Sequence, residues 1–115
     1  MTEMNKNTGL TYKQWTSIRQ VFENYPMVES AILFGSRAKG DFKNASDIDI
    51  AVKGANVDLN CILDLHNDFD DLMLPYKFDL VNFNHIDEPD LIDHINRIGF
   101  EIYSKENQTA SYEGD

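Results

Sequence analysis

Residues 47–52 read Asp-Ile-Asp-Ile-Ala-Val. Such alternation is the mark of a strand, because successive side chains leave the backbone on opposite sides. Ile48, Ile50 and Val52 would face a core. Asp47, Asp49 and Ala51 would share the other face, with the two carboxylates ~7 Å apart. Ionised carboxylates at that spacing repel each other, and burying either one unpaired costs several kcal/mol. The strand therefore needs water or cations on its acidic side. This restricts the chain to folds with a sheet that has one apolar face and one face given over to charge.

The neighbouring segments extend that sheet. Ser30 to Phe34 is a short apolar run ended by Gly35, which suits a central strand. Gly35-Ser36 then forms a tight turn into a polar loop, with one helical turn at Ser36-Arg37-Ala38. Residues 77–83, KFDLVNF, read as a third strand. Phe78 and Leu80 take one face, while Asp79 and Val81 take the other. A third carboxylate thus sits inside an apolar strand.

Three helices are expected around it. Thr11 with Gln14 forms a capping box ahead of a stripe of Trp15, Ile18, Val21, Phe22 and Tyr25, and Pro26 ends the run. A second helix starts near Asp58. Its core stripe is read as Leu59, Ile62, Leu63, His66, Phe69, Leu72 and Met73. The acids Asp64, Asp68, Asp70 and Asp71 form a solvated face rather than a metal site. Pro89 opens the last helix, capped by Asp87 or Glu88, with Leu91, Ile92, Ile95 and Ile98 inward and Gly99 at its end. Residues 100–103 fit a short edge strand. Residues 10–104 are read as one domain, with flexible tails at 1–9 and 105–115.

Composition narrows the function classes. Twenty acidic against ten basic side chains give a net charge of −10. Such a field repels phosphate backbones and anionic membranes, so general nucleic-acid binding is not expected. A bound nucleotide is still compatible with it, because local cations and metal ions override the global field. Cys61 is the only cysteine, which excludes an internal disulfide and a cysteine zinc cluster. No stretch approaches the ~20 apolar residues of a membrane span. The polar N-terminus lacks a signal-peptide core, so the cytoplasm is the expected compartment. His66 is expected to be packed, and His85 and His94 to be surface or cap residues. None has a ligand-spaced Cys or His partner.

The strand carboxylates suit divalent cations. Mg²⁺ takes hard oxygen ligands, usually carboxylates, phosphate oxygens and water. Two such ions can clamp the attacking and leaving oxygens of a phosphoryl displacement. The Gly35-Ser36 turn suits the phosphates: glycine permits close backbone approach, and the following N–H groups and the Ser36 hydroxyl can donate. Arg37 and Lys39 are cations beside it in an otherwise acidic chain and fit phosphate contacts. No Gly-Lys-Ser or Gly-Lys-Thr is present, so this is not a Walker loop.

Gly35-Ser36, ten residues, then Asp47-Ile48-Asp49 resembles the G-S-x10-D-x-D signature of the DNA polymerase β-like nucleotidyltransferases. The text FGSRAKGD…SDIDIAV is similar to its minimal branch, the small MNT proteins that accompany HEPN-domain partners. The resemblance spans roughly Tyr25 to Tyr103 and is specific, because turn, spacing and strand context agree. It implies an α/β fold: a minimal nucleotidyltransferase palm, a small mixed sheet with helices on one face. It also implies that Gly35 and Ser36 hold the triphosphate, with Arg37 contacting phosphate. Asp47 and Asp49 would bind two Mg²⁺ ions, with Asp79 as the third carboxylate and general base. The implied substrate is ATP, and the implied acceptor is a tyrosine of a HEPN toxin, which makes this chain the antitoxin half. No substrate-recognition domain follows the palm, so another chain or a dimer mate would present the acceptor. Two alternatives stay open: the catalytic subunit of a two-component aminoglycoside-like adenylyltransferase, and an antitoxin that acts by binding alone.

Overall fold

The computed structural model describes residues 7–105. Helix α1 spans Tyr12–Glu23 and strand β1 Ser30–Phe34. Helix α2, Gly35–Lys39, follows directly, and strand β2 runs Ile48–Lys53. Helix α3 covers Leu59–Asp71, strand β3 Phe78–Asn82, helix α4 Pro89–Ile98 and strand β4 Phe100–Ser104. A 3-10 turn, Phe83–His85, separates β3 from α4.

The strands form one sheet in the order β3-β2-β1-β4. β1 pairs antiparallel with β2 and with β4, while β2 and β3 run parallel. The mixed pairing follows from the connections. The β1–β2 link is short enough for neighbouring antiparallel strands, whereas the parallel β2–β3 pair needs a crossover, which α3 provides.

Alternation divides the sheet as the sequence suggests. Ala31, Leu33, Ile48, Ile50, Val52 and Phe78 join one core beneath α1 and α3. Trp15, Ile18 and Phe22 of α1 lie within it, and Phe22 and Phe69 meet edge to face at 5.2 Å. Thr11 caps α1 through the expected box with Gln14. The expected mixed α/β palm is present, with a difference in how it is covered. The sequence reading placed the helices on one face, but α4 lies on the other. There Leu91 and Ile95 pack with Ile32, Phe34, Ala51 and Val81. β1 and β2 carry apolar side chains on both faces, so a single helical layer would leave one of those faces wet.

Helix α3 is rotated from its expected stripe. Cys61, Leu65 and Phe69 form the buried line, with Ile62 and Leu72 flanking it. Leu59 and Leu63 are 69% and 52% exposed. His66, expected to be packed, is exposed beside Asp70. The i, i+4, i+8 spacing of the true line was masked by two leucines two residues away from it, on nearly the opposite side of the helix.

The expected tails at 1–9 and 105–115 fall largely outside the described residues. Thr8 and Gly9 are part of the fold: Thr8 is buried, and its hydroxyl accepts from Trp15 Nε1 at 2.8 Å. The Tyr76 hydroxyl donates to the Gly9 carbonyl at 3.3 Å.

Candidate active site

The turn and the three carboxylates arrive at one end of the sheet. β1 ends at Phe34, whose register partner on β2 is Asp49. Gly35 is therefore delivered beside the start of β2. Asp47 immediately precedes that strand. Asp49 lies opposite Asp79 of β3 in the parallel pair. The antiparallel and parallel pairings together place the end of β1 and the starts of β2 and β3 at the same edge.

Gly35 has φ +76, a left-handed conformation that L side chains rarely adopt. A Cβ there would lie 2.2 Å from Asp49 Oδ2. Only glycine lets the turn come so close to the carboxylate. Helix α2 then runs one turn and closes at Gly40, whose N–H donates to the Ser36 carbonyl at 2.9 Å.

Asp49 is half-buried, and Asp47 and Asp79 are exposed. Burial pushes the Asp49 carboxyl up from 3.8 to about 6. The charges of Asp79 and Asp47, and a hydrogen bond shared with Asp79, act in the same direction, while the Arg37 charge opposes them. An all-oxygen set that repels itself in this way suits a hard divalent cation. Among the described residues, however, no three His, Cys, Asp or Glu side chains converge closely enough to cage an ion. The donor chemistry fits Mg²⁺.

The structure assigns Arg37 differently from the expected phosphate contact. It is 1% exposed. Its Nε and Nη2 donate to the Ser46 carbonyl at 3.1 and 2.9 Å, and Nη1 donates to the Thr8 carbonyl at 2.8 Å. Nη2 also reaches the Asn44 carbonyl at 3.4 Å. The guanidinium lies between the Phe42 and Tyr76 rings, 4.9 and 4.8 Å from their centroids. Arg37 sits two residues past Gly35 and grips the residue before Asp47. It ties the two halves of the signature together, and its donors are spent on carbonyls. Lys39 is exposed and lies 3.6 Å from Asp41.

One residue at this edge is expected only as a surface or cap residue, and the structure sets it half-buried beside the turn. His94, on α4, accepts from the Gly35 N–H through Nε2 at 3.3 Å. Its ring meets Phe34 edge-on at 6.2 Å. Its partner is a backbone amide 59 residues away, so no side-chain spacing could have announced it.

The polymerase β nucleotidyltransferase model matches residues 16–108. The chain belongs to that family. Its fold is similar to several solved toxin–antitoxin structures. A chain of a toxin–antitoxin complex with AMP-PNP is 24% identical at TM-score 0.67, covering 82% of this chain and 76% of that one. A chain of the MntA–HepT complex is 21% identical at TM-score 0.62, covering 85% and 76%. A chain of the Shewanella oneidensis complex of a tri-AMPylated HEPN toxin with an MNT antitoxin is 20% identical at TM-score 0.57, covering 86% and 79%. Sequence comparison with curated proteins finds no match. Among the described residues, no helix is long and apolar enough to cross a membrane.

Proposed function

We propose that the protein transfers AMP from ATP, with Mg²⁺, to a tyrosine hydroxyl of a HEPN-type partner, and acts in the cytoplasm as the antitoxin of that pair. The observation that carries the reading is the register that sets Gly35 against Asp49, with Asp79 opposite. The partner class is supported by the similarity to MNT antitoxin complexes, one of which contains an AMPylated HEPN toxin.

Gly35 and Ser36 hold the triphosphate through the turn N–H groups and the serine hydroxyl. Asp47 and Asp49, with Asp79, hold the metal. When bound, two Mg²⁺ ions neutralise the carboxylates and phosphates and polarise the α-phosphorus. Asp79, exposed at the start of β3, accepts the proton of the incoming hydroxyl. The hydroxyl oxygen bonds to the α-phosphorus as the bond to pyrophosphate breaks, so a single in-line step inverts that centre. Arg37 fixes the loop, and its charge partly offsets the repulsion on Asp49. The chain's contribution is positioning and charge neutralisation.

The test is incubation with ATP labelled at the α-phosphate, Mg²⁺ and a HEPN-type protein sought in the adjacent reading frame. Label is expected on a partner tyrosine and is lost in the Asp47→Asn, Asp49→Asn double variant. An unlabelled partner in the presence of folded wild type would sink the reading. Full neutralisation of the partner by the double variant would instead show that contact alone suffices.

A further inference from the structure

The Gly35 amide is a donor that the proposed function assigns to a triphosphate oxygen. In this structure it donates to His94 Nε2. One N–H cannot serve both acceptors at full strength. A triphosphate seated on the turn would therefore meet the imidazole directly, at hydrogen-bond range from the same amide.

The imidazole is held where that meeting would occur. His94 lies on the flank of the α4 stripe, one residue before Ile95, which is buried against Ala51 and Phe34. Phe34 supports the ring edge-on and is itself the residue before Gly35. Helix α4 is further pinned at its end by Gly99, where a Cβ would strike the Ile95 carbonyl at 2.5 Å and Ile32 Cγ2 at 2.6 Å. The ring is thus carried by a helix packed on the sheet and stands half-buried beside the turn. It can change what its nitrogen offers. As the acceptor of the Gly35 N–H, His94 is the neutral tautomer that carries its proton on Nδ1. If Nδ1 gives that proton to water and Nε2 takes one from water, the net charge is unchanged and Nε2 becomes a donor.

We propose that His94 is a phosphate-contacting residue of the nucleotide site, exchanging its role as acceptor of the Gly35 N–H for that of donor to the triphosphate oxygen that takes the amide. This rests on the nucleotidyl-transfer reading and adds to it a residue outside the Gly-Ser and Asp-x-Asp motifs. A donor facing an anionic oxygen is among the stronger hydrogen bonds a side chain makes, and its loss is expected to weaken binding by about tenfold or more.

The test uses the full chain with a non-transferable ATP analogue and Mg²⁺, and binding is read by calorimetry. His94→Phe keeps the ring on Phe34 and removes both nitrogens. It is expected to bind the analogue about tenfold or more weakly, at unchanged circular dichroism. His94→Gln, whose Nε2 amide can still donate, is expected to stay within about threefold of wild type. In wild type, the imidazole ¹⁵N spectrum is expected to show Nε2 passing from unprotonated to protonated as the analogue is added. Unchanged or tighter binding by His94→Phe overturns the proposal, as does a loss in His94→Gln equal to that in His94→Phe. An Nε2 that stays unprotonated at saturation overturns it too. If wild type itself fails to bind the analogue, the nucleotidyl-transfer reading falls and takes this one with it. If wild type binds and His94→Phe binds equally, only the role of His94 falls.

Discussion

Replacing Arg37 with methionine tests whether a buried cation holds the signature together. Methionine keeps much of the apolar stem and removes the guanidinium. The Thr8 and Ser46 carbonyls, approached at 2.8 and 2.9 Å, then lose a charged donor. Each orphaned buried acceptor costs ~1–3 kcal/mol. The two ring contacts, at 4.9 and 4.8 Å, add ~0.5–2 kcal/mol each. Against this, removing the cation also removes its own desolvation penalty, several kcal/mol for a buried ion. The balance is a net loss of about 3 kcal/mol, a large share of the ~5–15 kcal/mol that holds a domain together. Urea unfolding should show a lower midpoint at an unchanged slope. Arg37→Lys should recover part of the loss, since one ammonium can serve a carbonyl but cannot lie flat between two rings. Lys39→Ala is the control: its exposed pair with Asp41 is worth ~0–1 kcal/mol. A loss below ~1 kcal/mol for Arg37→Met, or one no larger than that of Lys39→Ala, would refute the clasp and return Arg37 to the phosphates.

Three further outcomes follow from the same geometry. Gly35→Ala forces an L residue to φ +76 and sets a methyl 2.2 Å from Asp49 Oδ2. It should cost ~1–2 kcal/mol of stability from the backbone alone, and calorimetry should show nucleotide binding falling by a larger factor than stability explains. Asp49 has a folded pKa of about 6 against 3.8 ordinarily, so its charge opposes folding above that range. Wild-type stability should fall as pH rises from about 4 to 6, and Asp49→Asn should remove that slope. The variant should gain about 1 kcal/mol at pH 8, discounted for solvent screening, and nothing near pH 3. Gly99→Ala sets a methyl against both the Ile95 carbonyl and Ile32 Cγ2, and is expected to cost ~1–3 kcal/mol by thermal or urea unfolding.

The parts of the fold legible in the sequence are those set by short-range pattern. The Thr11 box, the strand at Ser30–Phe34 and the Pro89 start of α4 stand as read. The face shared by Asp49 and Ala51 also stands, because a strand leaves no freedom in which side chains alternate. The misreadings share a cause. On α3, Leu59, Leu63 and Leu65 are chemically alike, and only the packing against β3 and α1 decides which of them is covered. Arg37 was read from its charge and its nearness to Ser36. Its true partners are carbonyls at Thr8, Asn44 and Ser46, and backbone acceptors carry no sequence signal. His94 was missed for the mirror-image reason, its partner being a backbone donor.

On the proposed function, this division clarifies how so acidic a chain can prepare a site for a polyphosphate. The cations that stand near the turn in sequence have partners of their own. Arg37 is committed to carbonyls, and Lys39 is exposed beside Asp41. What the fold sets at the turn is backbone: a glycine held in the left-handed region against Asp49, with its N–H pointing at His94. On the nucleotidyl-transfer reading, positive charge comes with the metal, to which the mutually repelling carboxylates are suited. Asp49 is half-buried opposite Asp79, where burial and repulsion raise its pKa. A cation that neutralises the pair relieves that penalty at the moment it creates the field the phosphates need. Metal and nucleotide should therefore bind with positive coupling: each should tighten the other in calorimetric titrations, and Asp49→Asn should abolish most of the coupling while leaving the Gly35 turn intact.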